Sequence, residues 1–175
     1  MKKIFFFISA AALLSSCAPK IPFTQAIREQ YKLTDDEIKQ LQFYVSGDIV
    51  LQSVDEIAKG KTTQDGELVI VDGKTVEQVF IKQYTPGVAE KIIDDKKIGV
   101  SFEPGKYLVF GDATDNKGPY RLLAAEWVNR RGKVKYGDKY YYTTPGSSNV
   151  YLLFKMKKLN KLRKKQHVVK GRKVK

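Results

Sequence analysis

The chain has 175 residues, 32 Lys and Arg against 19 Asp and Glu, a formal charge of +13, one Cys and one His. At 42% hydrophobic and 29% charged it has a globular composition, neither disordered nor fibrous. A single cysteine excludes a disulfide scaffold and a cysteine metal cluster, and a single histidine excludes most zinc sites and argues against histidine-based catalysis.

Lys2 and Lys3 precede an apolar run of eleven residues, Ile4 to Leu14. A membrane-spanning helix needs about 20 residues to cross a hydrocarbon core of roughly 30 Å, so the run is too short to span. It fits the apolar segment of a secretory leader. Leu14-Ser15-Ser16-Cys17 follows, an aliphatic residue, two small residues and a cysteine. On these residues the chain resembles the bacterial lipoproteins. The resemblance covers Met1 to Cys17 and implies a signal peptide over 1–16, cleavage before Cys17, and a diacylglycerol and fatty acyl group such as palmitate on Cys17. Several chains at about 0.8 kcal/mol per buried CH₂ give stable membrane anchoring. The residue after the cysteine is Ala18 rather than the Asp of inner-membrane retention, so the resemblance favours an outer membrane and a domain facing the periplasm, the alternative being a Gram-positive plasma membrane with the domain facing outward.

Residues 17–23 read as a lipidated tether, extended by Pro19 and Pro22. Thr24 to Lys32 predicts a helix capped by Thr24, with Ala26, Ile27 and Tyr31 inward. Thr34 to Glu37 is a capping box that opens a second helix with Ile38 and Leu41 inward. Phe43 to Ser53 predicts one strand bulged at Gly47. Asp72-Gly73 marks a hairpin between 67–71 and 75–82. Turns are expected at Thr85-Pro86-Gly87, Pro104-Gly105 and Arg131-Gly132, with Asp94 to Lys97 as a hairpin tip. About nine short strands through Met156 predict a mainly β fold, an antiparallel β-sandwich or small barrel preceded by two short N-terminal helices. The globular domain is expected to span 24–154, with one core.

The charge is uneven. Residues 17–154 carry 19 basic and 19 acidic side chains, whereas 155–175 carry 11 basic and none acidic. A neutral domain therefore carries a basic C-terminal tail, which should repel itself and resist packing. Within it, Met156, Leu159 and Leu162 recur at intervals of three and could form a narrow apolar stripe on a cationic helix. Cations such as Lys164 and Lys165 suit an anionic phospholipid or cell-wall surface, or an acidic protein partner. Nucleic acid is disfavoured by the export leader and by the lack of interleaved aromatics that stack on bases.

The sequence carries no catalytic or cofactor motif, and neither a cofactor nor a metal is expected. His167 falls in the basic tail. Asp35-Asp36, Asp55-Glu56 and Asp94-Asp95 read as cap, surface and turn residues. The loop from Gly111 to Gly118 has oxygen ligands for a weak Ca²⁺ site but includes Lys117, so a plain polar turn is favoured. The aromatic cluster is the best binding candidate. Strand alternation puts Tyr140 and Tyr142 on one face, and Trp127, Arg130 and Arg131 lie nearby in sequence. The expected function is a non-enzymatic envelope lipoprotein, a partner-binding or accessory module of an envelope assembly. The alternative is a ligand-binding β-barrel or sandwich for an apolar or sugar ligand.

Overall fold

The computed structural model describes residues 19–53, 70–71, 74–75, 78–112, 114 and 116–166. It opens with β1 (Lys20–Pro22), α1 (Gln25–Gln30) and α2 (Asp35–Lys39). The stretch read as a tether is thus built into a sheet from Lys20 onward. Thr24 caps α1 by accepting the Ile27 N–H at 3.1 Å. α2 has a reciprocal capping box: Glu37 N–H donates to Thr34 Oγ1 at 3.3 Å, and Thr34 N–H donates to the Glu37 carboxylate at 3.0 Å. Ile38 and Leu41 are buried.

Ile27 and Tyr31 pack against the core as the periodicity predicts, but α1 also turns polar residues inward. Gln25 and Arg28 are buried and Ala26 is exposed. The polar residues are tolerated because they are bonded. Arg28 Nη1 donates to Tyr120 Oη at 3.0 Å and to the Asp94 carbonyl at 3.1 Å, and the Tyr120 hydroxyl donates to Gln25 Oε1 at 2.5 Å.

Phe43 to Ser53 is not one bulged strand. It is β2 (Gln42–Val45) and β3 (Ile49–Ser53), which lie in different sheets. Ser46 to Asp48 makes the corner. Gln83 pins it, donating its N–H to the Asp48 carboxylate at 2.6 Å and its side-chain amide to the Ser46 carbonyl at 2.8 Å.

β4 (Ile70–Val71) and β5 (Lys74–Thr75) pair across Asp72-Gly73, with Val71 opposite Lys74. The remaining strands are β6 (Gln78–Ile81), β7 (Pro86–Asp94), β8 (Lys97–Glu103), β9 (Lys106–Gly111), β10 (Arg121–Leu122), β11 (Glu126–Val128), β12 (Arg131–Tyr136), β13 (Lys139–Thr143) and β14 (Leu152–Lys155). A 3₁₀ turn (Pro145–Asn149) precedes β14, and α3 (Met156–Gln166) follows it.

One sheet has the order β1-β14-β2-β7-β8-β9-β10, and the second has β11-β12-β13-β3-β6. Their strand pairs are antiparallel, and the described residues form no closed barrel. β10 returns toward β14 through a single bridge, Arg121 to Tyr151.

Two turns sit one or two residues earlier than expected. The chain reverses at Gln83 and Tyr84, so Pro86 and Gly87 already belong to β7. A side chain at Gly87 would lie 2.7 Å from the Phe102 ring, so this glycine serves close packing rather than a turn. Asn129 and Arg130 form the β11–β12 turn with φ of 49° and 63°, and Arg131-Gly132 opens β12.

Both sheets contribute to one core. Phe23 stacks edge-to-face on Phe43, Tyr120 and Phe154 at centroid distances of 5.1, 4.9 and 5.5 Å. Ile49, Leu51, Val134 and Tyr141 of the second sheet belong to the same cluster. So does Leu159 of α3, at 0% exposure, with Met156 and Leu162 packed beside it. Arg163 stacks on the Tyr31 ring at 5.3 Å, donates to the Tyr31 carbonyl and faces Glu37 at 4.0 Å. The charge run therefore does not resist packing over 156–166. The interval-of-three stripe is spent on the core, and the lysines are left outside.

A polar latch joins the sheets. The Tyr136 hydroxyl donates to Glu103 Oε1 at 2.8 Å, and Lys106 Nζ lies 3.2 Å from Glu103 Oε2. Burial and the adjacent carboxylate push the Tyr136 phenol up, so it stays the donor. The Tyr136 bond holds the Glu103 carboxyl below its ordinary value of 4.5, against an opposing effect of burial. A depressed folded-state pKa contributes stability above the unfolded value that is lost as pH falls through the folded one.

Two outcomes are expected. Leu159→Ala should destabilise the fold by about 2–5 kcal/mol in denaturant melts, while Lys158→Ala changes it by less than about 0.5. The thermal midpoint should fall as pH drops below 4.5, and Tyr136→Phe should flatten part of that dependence.

Candidate functional site

The two ends of the described chain meet on neighbouring strands. β1 runs antiparallel to β14, with Lys20 opposite Lys155 and Pro22 opposite Leu153. Lys155 leads directly into α3, so the route back to Cys17 and the start of the basic helix lie side by side. Pro19 is two residues from Cys17, at most about 7 Å of extended chain.

A groove of about 560 Å³ opens there. Pro19, Ile21 and Met156 supply its apolar side, and Lys157, Lys161 and Lys164 its cationic side. These lysines are spaced i, i+4, i+7 and share one helical face. Among the described residues no carboxylate pairs with them. The first turn of α3 also holds no acidic residue. Lysines there oppose the helix dipole, in contrast to the three carboxylates that open α2. Lys20 Nζ stands over the rings of Tyr44 at 4.9 Å and Tyr84 at 4.4 Å, and Tyr84 is 49% exposed. Lys164 is exposed on α3. Lys165 belongs to the same helix with its side chain outside the described residues, as is Cys17 itself.

The aromatic candidates separate. In the register of the second sheet Lys133 faces Tyr142, Lys135 faces Tyr140 and Gly132 faces Trp127. Tyr140, Tyr142 and Arg131 therefore share the outer face with the two lysines, while Trp127 lies on the opposite face. A side chain at Gly132 would sit 2.8 Å from the Trp127 ring. Arg130 is in the turn, off both faces.

The outer face ends in a cleft of about 570 Å³ where β9 meets β12. Leu123 N–H donates to the Val109 carbonyl at 2.8 Å and Ala125 N–H to the Lys133 carbonyl at 2.9 Å, so this segment stitches the sheets together under the cleft. Tyr107, Val109, Leu123 and Ala124 give it half-buried apolar walls. Lys133, Lys135 and the half-exposed Tyr140 face them, with Lys97 at one end. Of these, only Tyr140 was singled out from sequence. Lys133 and Lys135 look there like ordinary outward strand positions, and no local signal announces the meeting of β9 and β12.

The polar loop after β9 offers little. Asp112 accepts from the Thr114 N–H and hydroxyl, and no group of His, Cys, Asp or Glu among the described residues is arranged to hold a metal. Asp55-Glu56 and His167 lie outside the described residues.

Residues 1–18 match the family model for the prokaryotic membrane lipoprotein lipid attachment site. The leader therefore marks a bacterial lipoprotein, attached to a membrane by lipid on Cys17. Among the described residues no helix is long and apolar enough to cross a membrane. No curated protein and no solved structure matches the chain.

Cys17→Ser should move the protein from the membrane to the soluble fraction of its host and abolish labelling by radioactive palmitate. Retained label would contradict lipidation at this residue.

Proposed function

We propose that this is a non-enzymatic accessory lipoprotein of the cell envelope, held on the periplasmic face of the outer membrane and lying flush on anionic phospholipid through α3. The observation that carries this reading is the pairing of Lys20 with Lys155. It sets the lipidated end and the basic helix at one end of the domain. The free tether is so short that the acyl anchor holds α3 within about 10 Å, one Debye length, of the headgroups. At that range each lysine contributes about 1 kcal/mol toward an anionic surface.

Two further features support it. An anionic surface offsets the repulsion of lysines in the first turn of α3, which nothing among the described residues relieves. Tyr44 and Tyr84 flank the anchor exit, and tyrosine suits a boundary between apolar and wet surroundings. The two-sheet domain then stands as a rigid body available to a partner in an envelope assembly.

The test uses the full mature chain with Cys17→Ser, so that binding reports the protein surface alone. It should sediment with phosphatidylglycerol-containing vesicles at low salt, less at high salt, and not with pure phosphatidylcholine. The triple change Lys157→Glu, Lys161→Glu and Lys164→Glu should weaken vesicle binding at least about tenfold with an unchanged circular dichroism spectrum. Equal binding by both forms would refute the reading.

A further inference from the structure

The geometry points to the cleft between β9 and β12 as a binding site for a single-chain amphiphile with an anionic head group. The argument starts from its two walls, which differ in kind. Tyr107 and Val109 project from the outer face of β9, and Leu123 and Ala124 come from the stitching segment; all four remain half-buried in a concavity. They are apolar surface that the fold itself leaves partly uncovered. The cleft volume of about 570 Å³ falls in the range of small-molecule sites.

The facing wall is cationic. Lys133 and Lys135 are two residues apart on one strand, so both ammonium groups project from the same face and repel one another. Glu126 stands opposite Lys133 in the register of β11 and β12, but among the described residues no carboxylate lies within ion-pair distance of either lysine, and no Asp or Glu lines the cleft. Lys133 instead leans over the Tyr140 ring at 5.6 Å. Lys97 adds a third cation and is partly occupied by Asp94 at 3.5 Å. An anion between these side chains removes their mutual repulsion, and a chain along the opposite wall removes apolar surface from water.

The backbone keeps the site open. Gly105 and Gly137 line the cleft in tight turns with φ of 75° and 64°, and add no side chain to it. Tyr107 lies flat against Gly99, where a side chain would come within 2.6 Å of the ring. That glycine sets how deeply the Tyr107 ring sits in the wall.

A neutral sugar satisfies only part of this pattern. Stacking on Tyr140 would accommodate it, but the unpaired lysines and the apolar wall would stay unmatched. A fatty carboxylate or a lipid phosphate matches both. The site shares no lining residue with the groove at α3, so it stands or falls apart from the membrane contact.

The test is calorimetric titration of the full mature chain carrying Cys17→Ser with three probes: dodecanoate below its micellar concentration, dodecyl phosphate and the neutral dodecanol. Both anions should bind and the alcohol should bind far more weakly. Lys133→Glu with Lys135→Glu should weaken dodecanoate about tenfold or more, because two attractions become repulsions. Lys39→Glu with Lys82→Glu makes the same change of net charge at exposed positions outside the cleft lining and should leave affinity unchanged. Thermal melts check that each variant is folded. Absence of anion binding, equal binding of the alcohol, or equal loss in both double variants would overturn the assignment. Preference between carboxylate and phosphate identifies the head group.

Discussion

The short ladder between β1 and β14 governs how this molecule can meet a membrane. Because the two strands are antiparallel, the chain arrives at Lys20 from the same end at which it leaves Lys155. A parallel pairing would have put the anchor and the basic helix at opposite ends. Three residues of strand are a weak element alone, but Phe23 follows at once and is buried among three other rings. The aromatic cluster therefore fixes the strand, and the strand fixes the exit. A flexible tether of tens of residues would let a domain drift several nanometres from the bilayer. Two residues do not. Contacts too weak to hold a free protein at a surface become effective when an anchor supplies the local concentration.

α3 shows why composition alone misjudges such a segment. Its cations dominate any count of charge, and a count predicts a self-repelling tail. Burial is decided by position instead. Leu159 is fully covered, Met156 and Leu162 lean on the core, and Arg163 is drawn to Tyr31 and Glu37. The spacing of the three apolar residues was visible in the sequence. What receives the helix was not, because Arg163 meets Tyr31 and Glu37 and Met156 shares a groove with Pro19 and Ile21, all more than a hundred residues away. The helix thus serves two ends, with one face fastening it to the domain and the other left as unpaired charge.

Local chemistry was the most legible part of the fold. The caps at Thr24 and Thr34 and the Asp95-Lys96 turn follow from side chains acting within three residues of themselves, whereas the expected hairpin strand 75–82 gives up its second half, Gln78–Ile81, to the second sheet. The corner at Ser46 to Asp48 could not be seen the same way. Phe43, Val45, Ile49 and Leu51 keep one alternating phase through it, so periodicity is the same for one strand as for two strands in different sheets. Only the cross-chain bonds from Gln83 reveal the break. The shifted turns have a related cause: Gly87 and Gly132 read as turn glycines but are required by the Phe102 and Trp127 rings that pass over them.

The same distinction runs through the candidate sites. The shared face of Tyr140 and Tyr142 is a property of one strand and could be read directly. The separation of Trp127 from them depends on the register of β11 against β12, and the cleft depends on two sheets meeting. The two lysine-lined grooves look alike in charge but draw affinity from different sources. At α3 Lys157, Lys161 and Lys164 are exposed with no acidic partner among the described residues, so their attraction to an anionic surface is coulombic and is screened by salt. Between β9 and β12 an apolar wall faces the cations across a cleft, and transfer of an acyl chain onto it is not screened. If α3 lies on the bilayer as proposed, the short anchor leaves little freedom to turn that second cleft toward it as well. On the proposed reading, a ligand there would arrive through the aqueous side, and its capture would need only the two walls of the cleft.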